Sequence, residues 1–292
     1  MKKQNRNGTT RIAIASGKGG TGKTTVATNL VVQAAESGQR AVYGDCDVEE
    51  PNGHLFLRPD IETTQPFSLE VPSVIRERCN GCGRCGEVCV YSAIVVINKK
   101  VLTFPELCHS CGGCWIACPE DAIEKGAREI GVVETGVAFG TVGFVQGRLR
   151  VGEAMAPPLI KAVKQRAPDA DLQVFDAPPG TSCPVIQTVR DADYVLLVTE
   201  PTPFGLNDLR LAVEMLRALE RPFGVVINRA DVGDDGVSRY CAEQEIEILV
   251  EIPDDRKVAE AYARGDIAVR ALPAYRKLFQ DLLEKVMDRA RG

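Results

Sequence analysis

Short apolar runs recur along the chain, and polar residues, glycine or proline bound each of them. RIAIAS (11–16), LQVFD (172–176) and YVLLVT (194–199) have the composition of buried strands. Between such runs the apolar residues fall at helical spacing, as in KTTVATNLVVQAAESG, which starts at Lys23 and which Gly38 closes. Alternating strands and helices of this kind predict an α/β protein with a doubly wound, mostly parallel sheet.

The final segment, YRKLFQDLLEKVMDRARG, predicts an amphipathic helix. Its apolar face carries Tyr275, Leu278, Phe279, Leu282 and Val286. Acids and bases alternate on the polar face instead of forming a basic stripe. This pattern favours packing on the chain's own domain over binding to a membrane surface.

Composition narrows the class of protein. The 292 residues are 45% hydrophobic, enough for one large core or two unequal ones, and the net charge is -5. Such a charge offers no electrostatic footprint for nucleic acid. No apolar run approaches the roughly 20 residues of a membrane span, and the polar start MKKQNRNGTT lacks the apolar region of a signal peptide. We therefore expect a cytoplasmic protein that binds neither nucleic acid nor membranes.

A glycine-rich loop, SGKGGTGKTT, lies between the first strand and the first helix. Within it Gly17, Gly22, Lys23 and Thr24 match the phosphate-binding pattern G-x-x-x-x-G-K-S/T in its required strand, loop and helix context. The glycines let backbone N–H groups surround phosphate oxygens, the lysine reaches the β- and γ-phosphates, and the threonine can ligate Mg²⁺. The predicted nucleotide-binding residues of this loop are Gly17, Lys18, Gly19, Gly20, Thr21, Gly22, Lys23, Thr24 and Thr25.

Acidic residues end two further strands, in the order that a magnesium–nucleotide site requires. AVYGDCDVEEPN carries Asp45 and Asp47, and LQVFDAPPGTS carries Asp176. A carboxylate at the end of one strand is common and indicates little alone. Two of them after a phosphate-binding loop predict a Mg²⁺-nucleotide site.

The second lysine of the loop separates it from ordinary phosphate loops. K-G-G-T-G-K-T, with Lys18 five positions before Lys23, resembles the deviant Walker A motif of the MinD/ParA/Mrp family of ATPases, which includes the nitrogenase iron protein. The resemblance implies ATP and Mg²⁺ binding, slow and partner-stimulated ATP hydrolysis, and an ATP-dependent homodimer. In that dimer Lys18 would reach the partner's nucleotide and stabilise phosphate charge. The alternative is a solvated lysine in a glycine loop.

The same resemblance implies roles for the acidic residues. Asp45 and Asp47 would form the first switch, in which Asp47 orients the attacking water. Asp176 would hold a Mg²⁺-bound water, and Gly180 of the second switch would follow the state of the γ-phosphate. The resulting magnesium site is Thr24, Asp47 and Asp176, and the catalytic residues are Lys18, Lys23 and Asp47.

The nucleobase site is expected at two later loops. The resemblance implies that Asn228, at the end of PFGVVIN, contacts the base, and that the IPDD loop with Pro253 and Asp254 closes over adenine. Asn228 and Asp231 also form N-x-x-D, the spacing with which some GTPases read guanine. We favour ATP, because that interpretation rests on several motifs and the GTP alternative on two residues.

Eight of the 11 cysteines form two arrays of identical spacing, C-x2-C-x2-C-x3-C, with the second 29 residues after the first. This duplication is the pattern of two-cluster bacterial ferredoxins, in which each 4Fe–4S cluster takes three cysteines from one array and the fourth from the other. One predicted cluster is held by Cys79, Cys82, Cys85 and Cys118, and the other by Cys108, Cys111, Cys114 and Cys89. Zinc is the alternative, since C-x2-C pairs also bind it.

Residues near the arrays are given packing roles. Tyr91 and Trp115 are expected to cover the cluster sulfurs, and His109 to lie at the surface. Val90 stands where proline is usual after the first array, whereas Pro119 follows the second. This departure changes a local turn and removes no ligand.

Three cysteines lie outside the arrays. Cys183 follows Asp176 by seven residues, which is the spacing of one cluster-ligating cysteine in the nitrogenase iron protein. Because 126–150 offers no second ligand, metal ligation by Cys183 is the lesser hypothesis, and a small buried cysteine is favoured. Cys46 and Cys241 are interpreted as structural.

The cysteine arrays lie between the two switches, so they interrupt the nucleotide domain. We predict a discontinuous P-loop ATPase domain, 1–72 and 126–292, and an inserted ferredoxin-like α+β domain, 73–125. Segment 128–151 is expected to form a β-ribbon that leads back into the ATPase domain. The arrangement resembles MinD-superfamily ATPases with an inserted ferredoxin domain.

Three functions fit these features. The leading hypothesis is an ATPase whose nucleotide-dependent homodimer gates electron transfer through two 4Fe–4S clusters to a redox partner. The second is an Mrp-like iron–sulfur cluster carrier or assembly ATPase with an acceptor protein as its partner. The third is a positioning ATPase, as in MinD and ParA, with structural clusters. Likeness of fold does not choose among them.

Overall fold

The computed structural model describes residues 8–291. Its strands are β1 (Thr10–Ala15), β2 (Ala41–Asp45), β3 (Asp60–Val74), β4 (Ile94–Ile97), β5 (Lys100–Thr103), β6 (Ile123–Ala138), β7 (Val142–Leu149), β8 (Leu172–Asp176), β9 (Tyr194–Thr199), β10 (Phe223–Asn228) and β11 (Ile248–Ile252). Its helices are α1 (Lys23–Glu36), α2 (Gly53–Leu57), α3 (Arg84–Glu87), α4 (Gly113–Ala117), α5 (Ala156–Arg166), α6 (Cys183–Val189), α7 (Pro203–Ala218), α8 (Gly236–Glu243), α9 (Arg256–Ala263), α10 (Ala268–Ala271) and α11 (Pro273–Arg291), with a 3-10 turn at Pro105–Leu107. Most of the polar start considered for a signal peptide, and the last residue of the predicted ATPase domain, lie outside the described part.

Nine strands form one sheet in the order β11-β10-β9-β1-β8-β2-β7-β6-β3. Every neighbouring pair from β11 to β7 is parallel, and only β6 and β3 run antiparallel to their neighbours. The predicted doubly wound, mostly parallel α/β sheet is therefore confirmed. Because parallel strands share one carboxyl edge, the loops after β1, β2, β8 and β10 meet there.

Apolar side chains cover both faces of the sheet. On β1, Ile12 and Ile14 belong to the core that includes Leu30 of α1, whereas Ala13 and Ala15 belong to the core on the opposite face. Burial on both sides explains why this strand reads as a continuous apolar run and not as an alternating one.

Helix α11 closes one face of the sheet, as its sequence predicts. Tyr275, Phe279, Leu282 and Val286 are buried, and Leu278 packs partly buried against the same core. The apolar face is thus occupied by the chain's own domain. Among residues 8–291, we find no helix with both the length and the apolar character to cross a membrane.

Two long strands project from the sheet as a ribbon. β3 pairs with β6 from Asp60 opposite Val137 to Val74 opposite Ile123, and β6 also pairs with β7. The β-ribbon predicted over 128–151 is present as β6 and β7. β3 was not predicted, because its first half is exposed and polar and lacks an apolar alternation.

The cysteine-rich region lies at the far end of this ribbon. It contains the short helices α3 and α4 and the hairpin β4–β5, which forms a separate two-stranded sheet. Val71, Ala93 and Cys108 make a small core of their own. The chain enters this region from β3 and leaves it into β6 without an intervening linker.

Candidate nucleotide site and cysteine-lined cavities

A cavity of about 420 Å³ lies at the carboxyl edge of the parallel strands. The predicted residues that line it are Gly19, Gly20, Gly22, Lys23, Thr24, Thr25, Asp47, Asn228, Pro253 and Asp254. The predicted residues outside its lining are Gly17, Lys18, Thr21, Asp45, Asp176 and Gly180. The structure thus brings the phosphate loop, the first switch and the base-binding loops to one cavity.

Two glycines of the loop are required by close approach. Gly22 has a φ of 92°, and a Cβ there would lie 2.5 Å from Nδ2 of Asn228. A Cβ on Gly17 would lie 2.3 Å from the carbonyl oxygen of Asp208 in α7. Any side chain at either position would displace the backbone that must surround the phosphates.

Lys23 begins α1 and is buried, with 7% of its surface exposed. Burial lowers the pKa of its ammonium group, and the nearby carboxylates of Asp176, Asp47 and Asp45 oppose that shift. A buried cation at a helix N-terminus suits the charge of a nucleotide phosphate.

The acidic residues form a buried pair and a partly buried neighbour. Thr24 donates a hydrogen bond to Asp176 Oδ2 at 2.6 Å, whereas Asp176 Oδ1 is buried with no partner. Burial, and then repulsion by Asp176, raise the pKa of Asp47 to about 6. An unpaired carboxylate oxygen beside a threonine hydroxyl fits Mg²⁺ ligation, directly or through water.

Lys18 lies beside α7, outside the lining of the cavity. Its Nζ is 3.6 Å from Glu200 Oε2, and Arg229 pairs with the other oxygen of Glu200 at 3.2 Å. Sequence analysis did not identify Glu200, because nothing in its position after β9 signals that it would face the loop lysine.

The N-x-x-D residues hold two loops together. Asn228 donates from Nδ2 to the carbonyl oxygen of Thr21 at 2.9 Å, and Asp231 Oδ1 accepts the N–H of Asp254 at 2.6 Å. Asp231 does not line the cavity. One oxygen of its carboxylate therefore positions the IPDD loop.

Tyr275 was predicted only as a core residue, yet it also lines the base side of the cavity. Its hydroxyl is buried and has no hydrogen-bond partner. Burial raises its pKa to about 12, so the group stays protonated at neutral pH.

The second switch follows β8. Gly180 has a φ of 95° and donates its N–H to the carbonyl oxygen of Ser16 at 3.0 Å, which ties this loop to the phosphate loop. Cys183 begins α6 and is exposed. The favoured prediction of a buried cysteine is therefore wrong, because the first position of this helix is open to solvent.

The cysteine-rich region holds two further cavities, and each predicted set of four thiols lines one of them. The first is lined by Cys79, Cys82, Cys85 and Cys118, and the second by Cys89, Cys108, Cys111 and Cys114. Each set combines three cysteines of one array with the fourth of the other.

The neighbouring aromatic residues lie at the second cavity. Tyr91, His109 and Trp115 line it, and the rings of Tyr91 and His109 stack with centroids 3.5 Å apart. His109 is exposed, as predicted. Cys46 and Cys241 are fully buried, which agrees with their structural interpretation.

Comparison with known proteins places these features in a family. The chain matches the CobQ/CobB/MinD/ParA nucleotide binding domain over residues 12–269. It is 32% identical to the uncharacterized protein MJ0578 of Methanocaldococcus jannaschii, over 95% of this chain and 96% of that protein. It is 25% identical to an iron-sulfur cluster carrier protein of Pyrococcus horikoshii, over 96% of this chain and 86% of that protein.

A solved structure agrees with this fold. The septum site-determining protein MinD of Pyrococcus horikoshii, complexed with Mg-ADP, has a TM-score of 0.58 and 21% identity, and the match covers 95% of this chain and 96% of that one. The family match over most of the chain spans the phosphate loop, the segments that follow β2 and β8, and Asn228. The chain therefore belongs to the CobQ/CobB/MinD/ParA nucleotide-binding family, and it is an ATP-binding and ATP-hydrolysing P-loop protein of the MinD/ParA/Mrp type.

Proposed function

We propose that this ATPase couples its nucleotide state to electron transfer through two 4Fe–4S clusters held in the cysteine-lined cavities. The observation that carries the proposal is a hydrogen-bonded connection from the first switch to the cysteine-rich region. When bound, the clusters would supply one-electron redox chemistry. The chain's own residues would bind ATP, hydrolyse it and transmit the change.

Several features of the cavities support cluster binding. Four thiols line each one in the interleaved pattern of two-cluster ferredoxins. The backbone N–H groups of Ser110 and Ala122 donate to the sulfurs of Cys108 and Cys118 at 3.4 and 3.3 Å. Such bonds stabilise negative charge on ligating sulfur.

The arrangement of the thiols favours iron–sulfur clusters over zinc. Each cavity takes three cysteines from one array and the fourth from the other. This exchange between duplicated arrays is typical of two-cluster ferredoxins, whereas a structural zinc site needs only four ligands in one tetrahedron. We therefore assign 73–125 as the ferredoxin-like insert and 1–72 with 126–292 as the ATPase domain.

The connection begins next to Asp47. The carbonyl oxygen of Val48 accepts the N–H of Leu149, at the end of β7, at 2.8 Å. The following residue, Arg150, donates its N–H to Ile130 of β6 at 2.9 Å. The first switch is thereby bonded, through two short steps, to the strand that leads into the cysteine-rich region.

The connection ends at a proposed cluster ligand. β6 continues as one strand from its contact with β7 to Ile123, with a bulge at Ile130 in its pairing with β3. The residue before it, Ala122, donates its N–H to the sulfur of Cys118 and accepts the N–H of Ile75 at 2.8 Å. A displacement of the first switch on γ-phosphate binding would therefore act on the cluster that uses Cys118.

The proposed ligands favour clusters that stay bound to this protein over clusters that are transferred to an acceptor. Each cavity has four thiols from one chain, and Cys85 and Cys108 are buried. A cluster that is handed to an acceptor needs ligands that can be exchanged, whereas buried thiols in a complete set resist exchange.

Cluster carriage is the second candidate, and the likeness to an iron-sulfur cluster carrier protein supports it. In that function the cluster is cargo, and the exposed Cys82 and Cys111 would be the thiols from which it leaves. Cys183, exposed beside the second switch, would be a further candidate ligand.

An ATP-dependent homodimer completes the proposal. Lys18 would leave Glu200 and reach the nucleotide of the partner, where its charge stabilises the transferred phosphoryl group. Dimerisation would then depend on ATP, and the redox partner or cluster acceptor would bind the cysteine-rich end.

The test measures ATP turnover by anaerobically reconstituted protein with the clusters oxidised and then reduced by dithionite, while EPR follows the reduced signals with and without nucleotide. We expect turnover to depend on redox state and the EPR signals to depend on ATP. Equal turnover in both states together with unchanged EPR signals would contradict the coupling.

Two comparisons make the outcome specific. The Asp47→Asn variant should bind ATP and still shift the EPR signal, because binding precedes hydrolysis. Release of iron to an apo-ferredoxin on ATP addition, without any redox dependence, would establish the carrier function in place of electron transfer.

A further inference from the structure

Tyr43 is a fully buried residue of β2 whose hydroxyl lies between two carboxylates. Its single hydroxyl proton is shared between Asp176 Oδ2, 3.1 Å from the hydroxyl oxygen, and Asp45 Oδ2, 3.3 Å from it. The ring is enclosed by the start of α2, since a Cβ on Gly53 would lie 2.3 Å from the Tyr43 hydroxyl. This buried polar group therefore has a defined place, and both of its neighbours belong to the nucleotide machinery.

On one side, Tyr43 helps to fix the rotation of the Asp176 carboxylate. Asp176 Oδ2 accepts hydrogen bonds from Tyr43 and, at 2.6 Å, from Thr24. The other oxygen, Oδ1, is buried and has no partner. Two hydroxyls on Oδ2 leave Oδ1 as the atom that would ligate Mg²⁺ or accept from its bound water.

On the other side, Tyr43 contacts the residue that organises the first switch. Asp45 Oδ1 accepts the N–H of Asp47 at 3.1 Å, and Asp45 Oδ2 accepts the N–H of Gly53 at 2.9 Å. Asp45 thus holds both ends of the switch loop. Its contact with Tyr43 sets the position of that loop relative to β8.

We infer that Tyr43 is a positioning residue for ATP hydrolysis, whose hydroxyl holds the magnesium-side carboxylate of Asp176 and the switch-loop carboxylate of Asp45 in one fixed arrangement. Asp47, which orients the attacking water, and the Mg²⁺-bound water are thereby placed together. The inference rests on the proposed roles of Asp47 and Asp176 and is independent of the clusters. Tyr43 lies in the strand that leads to the first switch, but it is not among the residues singled out there as site residues.

The test is Tyr43→Phe, which removes only the hydroxyl, with Tyr194→Phe as the matched control. Tyr194 is a buried tyrosine of β9 in the same sheet, 4% exposed. For Tyr43→Phe we expect kcat to fall roughly tenfold and the Mg²⁺ concentration for half-maximal turnover to rise by about threefold or more. The KM for ATP at saturating Mg²⁺ should change by less than about twofold, because the phosphate loop is untouched.

A double-mutant cycle separates positioning from a merely structural effect. If the hydroxyl acts through Asp45, adding Tyr43→Phe to Asp45→Asn should lower kcat little further than Asp45→Asn alone. Additive losses, an unchanged Mg²⁺ requirement, or equal losses in Tyr43→Phe and Tyr194→Phe would overturn the inference. If the wild-type protein binds ATP but does not hydrolyse it, the proposed reaction is absent. The wild-type assay shows this before any variant is compared, so it is distinguished from a failure of the Tyr43 inference.

Discussion

At the scale of single residues, a motif can identify a side chain while its surroundings decide what it contacts. Lys18 is recognisable from the loop sequence, yet in one chain it pairs with Glu200, which also holds Arg229. The Lys18–Glu200 contact is long, at 3.6 Å, and the Lys18 side chain is 34% exposed, so the pair contributes about 1 kcal/mol or less. A stronger partner, such as a phosphate of a second subunit, would therefore displace Glu200 readily.

Lys18→Ala should lower ATP hydrolysis by about 100-fold or more, because a cation that neutralises the transferred phosphoryl group is lost. ATP affinity should stay within about threefold, since Lys23 and the backbone of the loop remain. Turnover and nucleotide titration check the two parts separately. Lys161→Ala, on the exposed side of α5, is the matched control. Unchanged turnover in Lys18→Ala would refute the role in the partner's site.

The pKa of Asp47 predicts how the stability of the nucleotide-free protein depends on pH. Because burial and Asp176 raise this pKa from 3.8 to about 6, the folded state holds the proton more tightly than the unfolded state. The free energy of unfolding should then fall as pH rises through this window. Asp47→Asn removes the charge and should raise the free energy of unfolding at pH 7 by about 1 to 2 kcal/mol, less than the full pKa difference implies because the side chain is partly exposed.

Urea unfolding of wild type and Asp47→Asn at low and neutral pH measures this effect. The gain should be largest at pH 7 and small near pH 4, where the wild-type carboxyl is already protonated. The same variant should lose ATP hydrolysis, so a stabilising change would accompany a loss of function. An equal gain at both pH values would contradict the electrostatic origin.

At the scale of elements, the long ribbon of β3 and β6 is the feature that joins the two chemistries. β6 pairs with β7 inside the sheet and extends to Ile123 at its other end. The residue before it, Ala122, donates its N–H to the sulfur of Cys118. A paired ribbon transmits displacement better than a single loop, because each strand is held along its length by the other.

The interleaved ligand sets predict an unequal effect of two cysteine substitutions. Cys118→Ser should remove about half of the bound iron, because one of two proposed clusters loses a ligand. Cys183→Ser, a change at an exposed cysteine outside both cavities, should retain all of it. Iron and sulfide analysis with EPR of the reduced protein checks this. Full iron in Cys118→Ser would refute the ligand set.

Helix α11 offers a prediction about stability. Phe279 is 1% exposed and packs in the larger core. Phe279→Ala should lower the free energy of unfolding by about 3 to 5 kcal/mol, since it removes buried apolar area and leaves a cavity. Lys277→Ala, an exposed position of the same helix, should change it by less than about 0.5 kcal/mol. Chemical denaturation measures both, and equal effects would contradict the packing of this helix.

At the scale of the whole molecule, an ATPase sheet and a cysteine-rich region share one chain but have separate cores. The register of the ribbon places Val74 opposite Ile123. A two-residue Asn-Gly turn between them would therefore form a β-hairpin and remove the cysteine-rich region.

The shortened chain should fold and bind ATP with an affinity within about threefold of the full chain, because the nucleotide cavity takes no residue from the removed region. It should contain no iron, and its ATP turnover should no longer respond to dithionite. Circular dichroism, nucleotide titration and iron analysis check these outcomes. A folded product that fails to bind ATP would contradict the separation of the two parts.

Many features of this protein could be predicted from short, local sequence patterns. The phosphate loop, the strand ends with Asp45 and Asp176, and the two cysteine arrays were identified from sequence, because each needs specific residue types at fixed short spacing. The buried parallel strands were found for a similar reason: burial on both faces demands continuous apolar runs. These signals established the family, the mostly parallel sheet and the sets of thiols that the fold brings together.

Other features depend on residues far apart in the chain, and only the tertiary structure decided them. β3 carries no apolar alternation over its exposed half and is a strand because β6 pairs with it. In the sequence, Tyr43 looks like any other buried strand residue. Pairing of β2 with β8 brings its hydroxyl into contact with Asp176, 133 positions away. Cys183 is exposed at the start of α6, where a buried cysteine was favoured from sequence. Sequence spacing determines which groups are available, whereas strand pairing and packing determine which of them meet.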